Sequence, residues 1–328
     1  MTTAVMADRD EETTVGVPSP RGDLSGATLA ALSGRLPWDR LPVVDPSSDE
    51  DALLTIWIAH ELHHRGLPQF EDAEWTPELL AVRMRLEREL EARLRERAEG
   101  RLPDATDPNA LLQFVRDHPG RSLATYVQRS ATAEQVRELL WYRTIYHLKE
   151  ADPTSWTVAR LPAPSKAALA ELQYDEYGAG KPDRLHSHLF VQGLRAIGLD
   201  TTENAAIDDV PVEVLEMNVT LTMFGLQRRL RGASVGHLVA FEASSSGPSR
   251  KLARGLRRLD FPEEMAAYYD EHVEADAVHE QTAARFIAGA LIEAEPHLAE
   301  DVAFGAFTCL DLEDRFAEHM FQRWGVDA

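Results

Sequence analysis

Residues 269–279 read Tyr269-Asp270-Glu271-His272-Val273-Glu274-Ala275-Asp276-Ala277-Val278-His279. His272, Asp276 and His279 stand at i, i+4 and i+7, so on an α-helix they fall within a narrow arc of one face. The same stripe runs on through Ala283 and Ile287, while Glu271, Glu274 and Glu280 lie off it. A stripe that turns apolar faces a core, and polar groups on such a line need partners. Two imidazoles and a carboxylate make a donor set suited to Fe, Mn or Zn. The plainer alternative is a charged helix face in water.

The segments around this helix repeat its period. Ser48 and Asp49 cap a helix running to about His64, and Thr76-Pro77-Glu78 opens another through about Ala98. Short helices are expected near 108–117 and 121–129. Ala131 to Glu150 carries an amphipathic stripe of Val136, Leu139, Leu140, Arg143 and Tyr146, with Asp152-Pro153 as its stop. Further helices are expected at 164–177, 183–197, 211–231, 234–244, 248–258, 262–293 and 296–325. Runs that alternate at strand period are nearly absent. The expected class is therefore all-α, a helical bundle. Its parts are a disordered polar tail over 1–25, an N-terminal helical region over 26–130 suited to dimerisation, and the bundle proper over 131–328.

Composition limits the partners. The chain has 328 residues and a net charge of −21, which argues against nucleic acid and against anionic membranes. Its one cysteine, Cys309, forms no internal disulfide, and the acidic start does not read as a secretory signal. No apolar run reaches the length of a membrane span. The expected location is cytoplasmic.

Two other segments carry metal-ligand chemistry. In Gln173-Tyr174-Asp175-Glu176-Tyr177-Gly178-Ala179-Gly180-Lys181-Pro182-Asp183-Arg184-Leu185-His186-Ser187-His188 a carboxylate ends one helix and a histidine begins the next. On one continuous helix residues ten apart would diverge by about 80°, so the Gly/Pro break is needed to aim Glu176 and His186 at one centre. His188 is expected off that face. Glu150 sits at a helix C-terminus, where the macrodipole disfavours a carboxylate and a cation would compensate it. A third pattern, His60-Glu61-Leu62-His63-His64, matches the zinc-hydrolase arrangement His-Glu-x-x-His, but no third ligand or substrate strand accompanies it.

Taken together, Glu150, then Asp175-Glu176-Tyr177-Gly178 with His186 ten residues after Glu176, then His272-x-x-x-Asp276-x-x-His279, resemble the haem-oxygenase-like diiron oxidases and oxygenases, the iron-containing redox enzymes. The resemblance extends from about residue 50 to the end. It implies a haem-oxygenase-like bundle without haem, often a homodimer. It also implies two Fe(II)/Fe(III) ions held by Glu150, Glu176, His186, His272, Asp276 and His279, with O2 as co-substrate and an external electron donor. Glu150 and His186 are assigned to one iron and Glu176 with His272 to the other; Asp276 bridges and His279 completes the first. Glu242 is expected as an acid outside the ligand set, or as an ordinary helix-end glutamate. Glu176 resembles the extra carboxylate of the N-oxygenating branch, so the expected substrate is an amine or guanidine-like group of a small molecule. Phe190, Met223 and Phe224 are the candidate pocket walls. The alternatives are oxidative C–C or C–H cleavage of a fatty acid or amino acid, a zinc hydrolase at His60, Glu61 and His64, and a non-catalytic bundle.

Overall fold

A computed structural model describes residues 16–326, apart from the side chains of 274–278. The described residues are helical and contain no strand. In chain order the α-helices are α1 (Asp23–Leu32), α2 (Asp49–Glu61), α3 (Pro77–Ala98), α4 (Pro108–Arg116), α5 (Leu123–Arg129), α6 (Ala133–His147) and α7 (Asp152–Val158). They continue as α8 (Ala163–Glu176), α9 (His186–Ala196), α10 (Val212–Leu226), α11 (Arg231–Arg258), α12 (Glu263–Gln281), α13 (Ala290–Ala294) and α14 (Ala299–Arg323).

Local chemistry sets many of the starts. The Ser48 hydroxyl accepts from the Asp51 amide at α2, and Thr132 with Gln135 forms a reciprocal capping box at α6. These contacts satisfy amides that have no partner inside the helix. Pro77, Pro108 and Pro153 sit in the first turns of α3, α4 and α7, where the missing N–H costs nothing.

The centre of the bundle is the pair α11 and α14, with α12 packed on α11. Glycines permit that closeness. A Cβ on Gly236 would collide with the Val302 carbonyl, and one on Gly305 with the Ala233 carbonyl. Around this pair one apolar cluster joins Leu53, Trp57 and Leu90 of the N-terminal helices to Phe224, Phe304 and Phe316. Residues on both sides of position 130 thus share one core. A second cluster lies between α4, α8, α11, the segment after α12, and α14. No helix among the described residues is long and apolar enough to cross a membrane.

Several boundaries depart from the expectations. Residues 1–15 lie outside the described residues; within the stretch expected as a tail, α1 starts at Asp23 and Leu24 is fully buried. α6 stops at His147, so Glu150 lies in the turn beyond it. Asp152-Pro153 opens α7 as well as closing that turn. The two helices expected at 234–244 and 248–258 are one, with Pro248 inside it. The helix expected over 262–293 changes to π geometry at Thr282–Gly289, three residues after His279. Such widened turns recur beside functional groups.

Candidate metal centre

The turn after α6 sets the first carboxylate. Ala151 adopts a left-handed conformation, φ 71°, which costs a non-glycine residue about 1 kcal/mol. That turn carries Glu150 into the bundle, where it is buried. The Tyr268 hydroxyl of α12 lies 2.9 and 3.1 Å from its two oxygens, and His147 Nδ1 lies 3.2 Å from one of them.

Glu150 meets His186 and His272. Donor atoms of these three buried side chains lie within 4.8 Å of one another. His272 Nδ1 stands 2.8 Å from the Tyr268 carbonyl, which accepts its proton. The other ring nitrogen, Nε2, faces Glu150 Oε1 at 3.5 Å. The rings of His186 and His272 are 4.5 Å apart.

The break between α8 and α9 brings in His186. Gly178 has φ 68°, and a Cβ there would strike the backbone of Arg184 and Leu185. Only glycine lets the chain fold back so closely. As a result His186 Nδ1 comes 3.0 Å from Glu176 Oε2.

Glu176, Glu242 and His279 form a second group with the same 4.8 Å convergence. His279 Nε2 faces Asp175 Oδ2 at 3.3 Å. Its Nδ1 faces Glu176 and Glu242, each at 3.5 Å. Glu176 therefore stands between the two groups, with Oε2 towards His186 and Oε1 towards His279.

Each expected residue now has a position. Glu150, Glu176, His186, His272 and His279 come together. Asp276 lies among 274–278, whose side chains are outside the described residues. The grouping differs from the assignment made on sequence: His272 sits with Glu150 and His186, while His279 sits with Glu176. Glu242 faces His279 directly instead of standing behind the ligand set or at a helix end, since α11 runs on for sixteen residues past it, to Arg258. Its signal in sequence is a lone acid after the buried run Val235–Ala240. Tyr268 was not singled out, and no role was given to His147 or Asp175, because their hydrogen bonds to α12 leave no local pattern.

Charge is concentrated here. Burial opposes ionisation of Glu150, yet His272 and His147 beside it hold its carboxyl well below the usual range. For His279 burial works against the charged form, but Glu242 and Glu176 outweigh it and push the imidazole up to about 9. His186 is raised by Glu176 in the same way, against its burial. The Nδ1 atoms of His186 and His279 are buried and make no aligned hydrogen bond, although carboxylate oxygens stand 3.0 and 3.5 Å away. An imidazole nitrogen facing a carboxylate needs a cation between them, a proton in the metal-free protein, and these donors also fit a divalent metal.

The His60-Glu61-x-x-His64 pattern does not assemble in this way. α2 ends at Glu61. His60 Nε2 bonds Glu87 Oε1 at 2.7 Å, and Glu61 pairs with Lys149. Neither converging group among the described residues includes His60, Glu61 or His64.

A cavity of about 310 Å³ leads from the surface at His118, Arg121 and Asp314 down to Glu150, Tyr268 and His272. This is within the range of small-molecule sites. Midway, Arg143 and Glu313 form a two-pronged ion pair of 2.8 and 2.7 Å. Phe190, expected as a pocket wall, instead packs on the rings of His147 and Tyr268, each 4.9 Å away. Met223 and Phe224 are fully buried and do not line this cavity.

A helical bundle whose interior holds two facing carboxylate–histidine groups has the donor sets of a metal-binding protein. The comparison with known proteins agrees: residues 137–314 match the iron-containing redox enzyme family, and the chain belongs to that family. A similar curated protein is the nitrosourea synthase of Streptomyces achromogenes subsp. streptozoticus, 28% identical over 147 residues. That match spans 45% of this chain and 31% of the synthase.

Proposed function

We propose that this chain is a non-haem diiron oxidoreductase that uses O2 to oxidise an amine or guanidine-like nitrogen of a small molecule. The observation that carries this reading is Glu176, whose two oxygens face one histidine of each group at 3.0 and 3.5 Å. A carboxylate so placed suits two metal ions sharing one ligand. Glu150, His186 and His272 would hold one iron; Glu176, Glu242 and His279 would hold the other. Iron bound there would supply electrons and open coordination positions for O2.

The remaining residues act on geometry and protons. Tyr268 fixes the Glu150 carboxylate, and its carbonyl holds the His272 tautomer. Asp175 does the same for His279. Such supporting contacts commonly change metal affinity or activity by about 10- to 100-fold. The cavity seats the substrate with its reacting nitrogen at the Glu150–His272 end, partly screened from water by the surrounding helices. The nitrogen assignment draws support from the relative, whose name places it in nitrogen chemistry. An external electron donor, a cytoplasmic location and a homodimer belong to the same proposal.

The test is anaerobic Fe(II) loading with a count of bound iron, followed by mixing with O2 and a visible spectrum, for the wild type, His272→Ala and His60→Ala. The proposal expects about two irons per chain, with loss of uptake in His272→Ala alone. A single zinc lost only in His60→Ala, or no metal uptake at all, would overturn it.

A further inference from the structure

The centre has a second approach, unlike the polar cavity in both size and lining. A void of about 40 Å³ lies between α6, α10, α11 and α14, walled by Met217, Leu221, Phe241, Leu312 and Phe316 among others. Another, of about 20 Å³, lies against Glu150, Glu176, Glu242 and His272. Tyr146, Leu221, His237 and Phe241 are walls of both, so the voids abut across these four side chains. The outer end is at half-buried Met217.

Size excludes an organic substrate, since small-molecule pockets begin near about 300 Å³. Volume alone would admit water, but water also needs about two to four polar partners. Several polar atoms on the outer wall already have partners. Asn218 Nδ2 donates to the Val214 carbonyl at 2.9 Å, and Arg143 is held by Glu313. The Tyr142 hydroxyl donates to Glu138. A small, mainly apolar void takes small apolar molecules such as xenon. Arg143, Glu313 and Phe241 also line the polar cavity, so this ion pair and ring divide the two spaces.

We propose that this passage, from Met217 past Leu221 and Phe241, binds dioxygen and delivers it to the two ligand groups, while the polar cavity admits the substrate. The assignment of dioxygen rests on the diiron reading above. Binding of an apolar gas in the void does not.

The first arm uses crystals of the iron-free protein pressurised with xenon. The proposal expects a xenon atom between Leu221 and Phe241, and none there in Leu221→Trp. The second arm follows oxidation of the Fe(II)-loaded protein by O2 without substrate. Its second-order rate should fall by about tenfold in Leu221→Trp and in Met217→Trp, the latter serving if the former does not fold. Xenon absent from the void overturns the proposal. So does xenon bound there with an unchanged O2 rate in every folded variant. If the protein takes up no iron, the diiron reading fails, and with it the assignment of dioxygen; the xenon arm still decides whether the passage holds gas.

Discussion

Glu176 Oε2 stands 3.0 Å from His186 Nδ1, across a turn that only glycine at position 178 allows. Because the other oxygen of Glu176 faces His279, removing this carboxylate should affect both halves of the centre. We expect Glu176→Ala to lower iron uptake at both sites. Glu242→Gln should weaken one site and spare the other. Iron titrations followed by Mössbauer spectroscopy would distinguish the two. Equal loss in both variants would argue against a shared ligand.

Tyr268 bonds both oxygens of Glu150 and also reaches His147 at 2.8 Å. Tyr268→Phe keeps the ring and deletes the hydroxyl. The expected outcome is iron affinity lower by roughly 10- to 100-fold and a stability loss of about 1–2 kcal/mol. Equilibrium dialysis and urea unfolding measure these separately. Unchanged affinity would mean that Glu150 holds its position without the phenol.

His279 gives the metal-free protein a pH dependence of known sign. Its folded pKa, about 9, lies above the ordinary 6.5. The stability it adds is therefore complete below pH 6.5 and is lost as pH rises through 9, on the order of 2 kcal/mol once partial solvent screening is allowed for. A bound metal replaces that proton, so metal affinity should rise over the same window. Thermal melts of apo wild type and His279→Ala at several pH values test this. A wild-type profile no steeper than that of the variant would refute it.

At the crossing of α11 and α14, Gly236 leaves no room for a methyl group beside the Val302 carbonyl. Gly236→Ala should force the helices apart and cost about 1–3 kcal/mol. Chemical denaturation reads this directly. A neutral effect would show that the helices can slide to relieve the clash.

His60 separates structural from metal-binding histidines. It is buried against the Glu87 carboxylate. In His60→Ala, Glu87 loses that partner, an expected cost of about 2 kcal/mol, while iron stoichiometry stays that of the wild type. Loss of iron in this variant would implicate α2 in metal binding.

Much of this architecture was legible because it is local. The stripe through His272 and His279 follows from helical period, and the re-aiming of His186 follows from Gly178 and Pro182 in the intervening turn. What the sequence concealed is pairwise and distant. Nothing near His272 says that its partner is Glu150 instead of Glu176, since that depends on how α12 rotates against the turns beside it. Glu242 looked ordinary because a single acid in a helix has many uses until its neighbours are known. The unbroken α11 was hidden by Pro248, whose preference for ending helices is overridden here by packing along α12 and α14.

Lys149 and Glu150 are adjacent in sequence but serve opposite sides of the molecule. Glu150 turns inward to His272, while Lys149 reaches Glu61 and lies 5.8 Å from the Trp57 ring, both on α2. The turn that presents a metal-facing carboxylate is thus moored to a helix upstream of residues 137–314, the portion that matches the family. A fragment cut to that portion would lose the mooring and leave Lys149 without Glu61. The part of the chain that carries the family's signature is therefore not an excisable cassette, and minimal versions of the protein should retain α2.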